Sequence, residues 1–295
     1  MSQPTLLEAV TALPGAWYAV ADGGHFDDLP AMLTARELVN VPLYLEAANH
    51  EGVRAGPHLV ALYSRAQVAA LIALTEGKPA LAFWSWPGPL DAIRRHLRGL
   101  NLAEIPNERR AAPDDAAYET VLFRHWDPNV LAVTLPVLTV EQRSRFLGDA
   151  AGLAFDANEY AGVTVAMRPE GLPGKPRGML RFEVGQIEGI TARRLEASYG
   201  RIASYLREVA PEQTAKLTAI SLTNFVHRYG DDAGSLGLTW EKDRARWCYL
   251  QLVSGEMLGE DARVRSALSD TTPHKASVKL QALFNALEQL LQEAA

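Results

Sequence analysis

Between Thr120 and Gly148 the chain reads TVLFRHWDPNVLAVTLPVLTVEQRSRFLG, a stretch that leaves few options for its fold. Val121, Leu122 and Phe123 form an apolar run suited to a buried strand, and Arg124, His125 and Trp126 lead from it into Asp127-Pro128. Aspartate before proline stops one element and starts another. The Asp127 carboxylate can accept from orphan amides, and Pro128 suits the first helical position, where a missing N–H costs nothing. Val130 to Leu135 then spells a short helix that must end near Pro136. Thr139 and Gln142 stand three apart, as in a capping box, and a second short helix runs from there to Gly148. A strand, a rigid corner and two short helices are expected. Arg124 and Trp126 then sit at the strand end, a position that serves chemistry or docking.

Upstream, Leu6 to Leu13 reads as a short helix, and Trp17 to Ala21 as a strand closing on the turn Asp22-Gly23-Gly24. Asp27 or Asp28 caps a helix through Leu33. Val39 to Leu45 reads as an edge strand or a bulge, because Pro42 cannot donate to a ladder. His58 to Tyr63 is a third strand, and Ser64 with Gln67 caps a helix carrying Val68, Leu71, Ile72 and Leu74. Pro79 to Trp86 returns as a strand. From Asp91 a helix sets Ile93, Leu97 and Leu100 on one side and Arg94, Arg95 and Arg98 on the other, followed by a loop over Pro106 to Asp115. The runs VALY, ALAF and TVLF are continuously apolar, as in strands covered on both faces. An α/β (α+β) lobe with a mixed central sheet is expected over residues 1–188, its core motifs at 16–148.

Val163 to Met167 and Met179 to Val184 read as an antiparallel hairpin around 160–187, joined by the flexible loop RPEGLPGKPRG. From Thr191 onward the apolar residues recur at helical spacing, broken at Pro211. Ala215 to Tyr229 reads as one helix, Thr239 as the cap of another, and His274 as the start of a last one carrying Leu280, Phe284, Leu287, Leu290 and Leu291. An all-α lobe over 189–295 is expected, with the boundary near Gly189.

Composition narrows the function. Hydrophobic residues make up 48% and charged residues 22%, enough to bury a core and too little charge for disorder. A net charge of −6 argues against a general nucleic-acid binder, which needs a basic footprint to release counterions. No basic, apolar leader opens the chain and no apolar run is long enough to span a bilayer, so a soluble cytoplasmic protein without membrane contact is expected. Cys248 is the single cysteine; it sits in the apolar run Trp247 to Leu250 and reads as a buried small hydrophobe.

No strong catalytic motif stands out. GLPGKPRG lacks the spacing of a phosphate loop, and Pro176 occupies the hydroxyl position. No histidine pair has zinc spacing on one helix, and neither a metal nor a cofactor is expected. Ser221, His227 and Asp231 make a triad only on paper, since the first two point in different directions on a helix. Two features remain open. The turn Asp22 to Asp28 follows a strand end, where a hydrolase or nucleotide site could lie, although a strand-to-helix turn explains the same residues. The basic face Arg94, Arg95 and Arg98 reads as a solvated helix side or as a dock for an acidic partner segment, with Trp84 and Trp86 nearby as aromatic anchors.

The order WYAVADG, HLVALYS, GKPALAFWSW, PLDAIRRHLRGL and FRHWDPNVL resembles the domain of unknown function family 4123. Asp22 stands at that family's early strand end, Gly77 at its turn, and Leu90 to Arg98 at its arginine-rich helix. Its Arg-aromatic-aromatic-Asp-Pro-Arg-Val-Leu signature maps onto Arg124 to Leu131, departing at His125 and Asn129. The resemblance is good from Ala16 to Gly148, and weaker over the helical run Gly237 to Leu283. It implies a non-enzymatic adaptor or chaperone of the bacterial type VI secretion system. Such a protein binds a toxic effector in the cytoplasm and loads it onto a VgrG-type spike, often with a PAAR tip. On that reading Asp22, Arg124, Trp126, Asp127 and Pro128 form structural support. Arg94, Arg95, Arg98, Trp84 and Trp86 are the expected partner contacts.

Overall fold

A computed structural model describes residues 3–44, 50–75, 77–107, 117–160, 162–269 and 273–293. Two compact units divide the chain, 1–193 and 194–295. Most of the expected loop Pro106 to Asp115 lies outside the described residues, as do Leu45 and the side chains of Leu287, Leu290 and Leu291.

The first unit opens with α1 (Leu6–Thr11), β1 (Ala16–Asp22), α2 (Leu29–Thr34), β2 (Asn40–Pro42), α3 (His50–Ala55) and β3 (Pro57–Leu62). Then come α4 (Arg65–Leu74), β4 (Leu81–Trp86), α5 (Leu90–Arg98), β5 (Leu102–Pro106) and β6 (Tyr118–Leu122). It closes with α6 (Pro128–Thr134), α7 (Val140–Leu147), β7 (Gly152–Ala157), β8 (Gly162–Met167) and β9 (Leu180–Arg181). Six strands form one sheet in the order β2-β3-β1-β4-β7-β8, antiparallel throughout. A second sheet, β6-β5-β9, pairs β5 antiparallel to β6 and parallel to β9, so the mixed pairing is carried here.

Strand alternation sorts the core into two layers. Tyr18 and Val20 of β1 face one side of the large sheet, where Trp84, Phe155, Ile93 and Leu97 of α5, Leu131 of α6 and Phe146 of α7 are buried with them. Ala19 and Ala21 face the other, against Val10 of α1, Leu29 and Leu33 of α2, and Val68 and Leu71 of α4. Pro42 sits in the edge strand β2, the place its missing donor predicts. Local chemistry sets several element ends as read: Asp28 caps α2 through the Ala31 amide at 3.0 Å, and Thr139 with Gln142 forms a capping box on α7.

Two expectations about strands fail. TVLF is not covered on both faces: β6 lies at the rim of the small sheet and Leu122 is 52% exposed. The hairpin expected from Met179 to Val184 is replaced by β7–β8, because β7, with Leu153 and Phe155 fully buried, is the partner of β8. β9 shrinks to Leu180–Arg181 and joins β5 instead. The loop between them is not loose. Ser144 Oγ donates to Pro173 O at 2.6 Å, Arg145 Nε donates to Gly178 O at 2.8 Å, and Lys175 Nζ donates to His96 Nδ1 at 2.9 Å.

α8 (Val184–Val209) runs without a break through the boundary expected near Gly189. The second unit adds α9 (Pro211–Thr214), α10 (Ala219–Ser235), α11 (Glu241–Val253), α12 (Met257–Glu260), α13 (Ala262–Leu268) and α14 (Pro273–Glu293). Thr218 caps α10 through the Ser221 amide at 3.1 Å, which moves the start of that helix from the expected Ala215 to Ala219. Thr239 does not cap α11, whose first residue follows Trp240 with no side-chain cap. Tyr199, Ile202, Leu206, Val226, Trp247, Leu250 and Leu280 form its core with Cys248, whose thiol is pushed up to about 12 by burial.

Two buried histidines tie the first unit's stability to pH. The His96 Nε2–H donates to Phe146 O at 2.9 Å while Nδ1 accepts from Lys175, and burial with the Lys175 charge lowers its pKa to about 3. Burial, with His96 nearby, lowers His125 to about 3 as well. Unfolded, both would bind a proton near the ordinary value of 6.5; folded, neither does until about 3. Their contribution is therefore complete above pH 6.5 and is lost as pH falls toward 3. Unfolding free energies from urea melts should drop through this window by at most about 1.4 kcal/mol per pH unit per histidine, and His96→Gln should flatten the profile. A flat wild-type profile would contradict the neutral assignment.

Gly148 offers a steric test. Its φ of 57° and ψ of −121° suit only glycine, and an added Cβ would lie 2.5 Å from His96 Cε1. His96 cannot swing aside, being stacked on Trp86 at 5.0 Å between ring centroids. Gly148→Ala should destabilise by about 2–4 kcal/mol in denaturant melts, where an exposed glycine such as Gly174 should tolerate the change within about 1 kcal/mol.

Candidate functional site

Two features meet on the first unit: an ion-paired corner and an open groove. β1 ends at Asp22, which is only 5% exposed. Its Oδ1 accepts from the Gly24 amide at 3.0 Å and its Oδ2 takes Arg124 Nη2 at 2.7 Å, across 102 residues of sequence. The same Nη2 lies 3.3 Å from Asp127 Oδ2. Asp127 also caps α6, accepting from the Asn129 amide at 2.9 Å and the Val130 amide at 3.4 Å. Partial burial alone would lower the Arg124 pKa, but the hydrogen bond to Asp22 and the charges of Asp127 and Asp22 raise it. Arg124 therefore joins the end of the large sheet to the start of α6.

Trp126 follows from that geometry. With the corner fixed it turns into the core, 2% exposed, and Tyr44 stands edge-on to it with ring centroids 5.9 Å apart. Tyr44 also lines the groove, an open cavity of about 780 Å³. One wall is α5, which contributes Arg94, Arg95 and Arg98. The other is the small sheet, which contributes Leu102 and Leu122, directly paired across β5 and β6 and 46% and 52% exposed.

The groove is held open from behind. Arg94 Nε donates to Pro42 O at 3.2 Å, and Asn101 Nδ2 donates to Leu43 O at 3.2 Å. The Asn101 side-chain Oδ1 meanwhile accepts from His125 Nε2 at 3.1 Å. Arg145, itself buried, donates to Gly99 O at 2.6 Å and so anchors the end of α5 to α7. Basic residues in the last turn of α5 also complement its dipole, which favours arginines there without consuming their outward donors.

The structure thus brings Arg94, Arg95 and Arg98 together on one wall and separates Trp84 and Trp86 from them. Those tryptophans are core residues, 0% and 3% exposed. Trp86 stacks on His96, and Trp84 packs against Phe146 with centroids 5.2 Å apart, so neither presents a surface to a partner. Their apolar character is satisfied beneath α5. In the Asp22 to Asp28 turn, Asp22 is committed to Arg124 and Asp28 to capping α2. Ser221, His227 and Asp231 go separate ways: Ser221 pairs with Thr218, His227 with Glu196, and Asp231 with Tyr199. Among the described residues no three histidine, cysteine or acidic side chains gather as metal ligands, and no helix is long and apolar enough to cross a membrane.

Sequence reasoning missed Tyr44, Asn101, Leu102 and Leu122. Nothing in YETVL distinguishes the face of Leu122, since Thr120 on that face and Glu119 on the other are both polar.

Residues 17–145 match the family model described as a domain of unknown function (DUF4123). The match takes in Asp22, Arg124 and Asp127 and every residue named in the groove, and it does not reach the second unit. No curated protein and no solved structure matches the chain.

The corner gives a direct stability test. Arg124 is 45% exposed, so its Coulomb gain is screened, but Asp22 left alone would be a nearly buried carboxylate without its partner. Arg124→Ala should cost about 1–2 kcal/mol in urea unfolding, and a double-mutant cycle with Asp22→Asn should show a favourable coupling. Zero coupling would mean that the corner is held by packing alone.

Proposed function

We propose that the chain is a non-enzymatic adaptor or chaperone of the bacterial type VI secretion system. It binds an effector protein in the cytoplasm and assists its loading onto a VgrG-type spike, with or without a PAAR tip. The observation that carries this reading is the groove. It is open along its length, walled by guanidinium groups on one side and exposed leucines on the other. Arginine and apolar anchors at a preformed concave surface are the ingredients of a protein-binding site, where binding energy concentrates in few residues. A second support is the matched region 17–145, together with the motif order whose resemblance implies this role. A hydrolase using the Asp22 to Asp28 turn is the weaker reading, since two of its carboxylates already hold structure together.

The reading is tested by co-expressing tagged full-length chain with each product of the neighbouring genes, followed by affinity capture and size-exclusion chromatography. An effector or spike protein should co-elute as a defined complex and lose solubility when the chain is omitted. Failure to capture any neighbour, or turnover of a small-molecule substrate by the chain alone, would overturn it.

A further inference from the structure

We infer that the groove recognises an acidic, leucine-bearing segment of the partner protein, an inference that rests on the adaptor reading. Charge and apolar complementarity meet within one short span of chain. Arg98 stands in the last turn of α5 and Leu102 opens β5, so the cationic wall and the apolar wall are joined by the short link Gly99 to Asn101. A ligand residue facing Arg98 therefore has a near neighbour facing Leu102.

The charge on the groove runs against that of the molecule. The chain carries −6 overall, whereas the charged residues among those described as lining this cavity are three arginines and Asp91. Arg94 spends its Nε on Pro42 O, and no ion pair of Arg95 or Arg98 is found among the described residues. Guanidinium forks with no carboxylate partner among the described residues are suited to carboxylates from another chain. An excess of negative charge elsewhere on the surface repels the same ligand and so favours its placement here.

The apolar wall decides which polyanion fits. Leu102 and Leu122 are a cross-strand pair that water now wets on one face, and Tyr44 adds an aromatic edge next to them. Phosphate oxygens gain nothing from that wall, while a leucine or isoleucine side chain is desolvated against it. An acidic peptide with interspersed apolar residues satisfies both walls; a nucleic-acid strand satisfies one.

Fluorescence anisotropy with the full-length chain tests this using short labelled peptides that alternate Glu and Leu, Glu and Ser, or Lys and Leu, with a single-stranded oligonucleotide as a fourth probe. The Glu-Leu peptide should bind most tightly, and weaken with added salt as exposed charges are screened. Arg95→Glu with Arg98→Glu should weaken it on the order of tenfold or more, and Leu102→Ser with Leu122→Ser should do so independently. Circular dichroism melts confirm that each variant folds. Equal binding of the Glu-Ser peptide, preference for the oligonucleotide, or indifference to both double variants overturns the inference. The two readings separate in the capture experiment. If the Arg95 and Arg98 double variant still retains its full-length partner, the groove is not the dock and the adaptor reading stands. If the wild type binds the Glu-Leu peptide yet captures no neighbour, the ligand chemistry stands and the adaptor reading falls.

Discussion

The contact between Arg124 and Asp22 is the joint on which the first unit turns. It ties the last residue of β1 to the segment leaving β6, and through Asp127 it reaches the first turn of α6. Its worth lies less in Coulomb attraction, screened by the exposure of Arg124, than in satisfying the nearly buried Asp22. Everything nearby inherits its geometry. Trp126 points inward because the chain turns at Asp127, Tyr44 stands edge-on to Trp126, and Tyr44 lines the groove. Corner and groove are thus successive layers of one arrangement, both within the matched residues 17–145.

Behind α5 the same economy holds. The helix needs its apolar side buried and its charged side wet, and His96 on the buried side would be a liability if charged. Packing against Trp84 and Trp86, together with hydrogen bonds from Lys175 and to Phe146 O, keeps it neutral and fixed. Gly148 leaves the space the ring occupies, and Arg145 clamps the helix end through Gly99. The arginine wall is rigid because its reverse face is a packed aromatic layer, and a preformed wall loses little entropy when a partner binds.

Much of this was readable from residues alone, and the parts that were not share a cause. Caps and breakers act locally, so Asp28, Thr139 and Pro42 announce their roles in sequence. Asp127-Pro128 foretold the corner, although nothing local says that Asp22 is the other half of it. Apolar runs are different, because Val121 to Phe123 look alike whether a second layer covers one face or two. Leu122 turned out wet, and Trp84 and Trp86 turned out dry. Strand partners were equally hidden. Val163 to Met167 could pair with either flanking segment, and the choice of β7 is made by burial of Leu153 and Phe155, a tertiary fact. The groove needed β5, which carries Glu104 and Pro106 and did not read as a strand, so only the arginine wall was visible beforehand.

The proposed dock for a partner is the face between α5 and the small sheet of the first unit. Hydrogen–deuterium exchange on the co-purified complex, compared with the free chain, measures this most directly. Protection should fall on Leu90–Arg98, Leu102–Pro106 and Tyr118–Leu122, with β7 and β8 unchanged. Protection confined to the second unit, with α5, β5 and β6 exchanging as in the free protein, would contradict it.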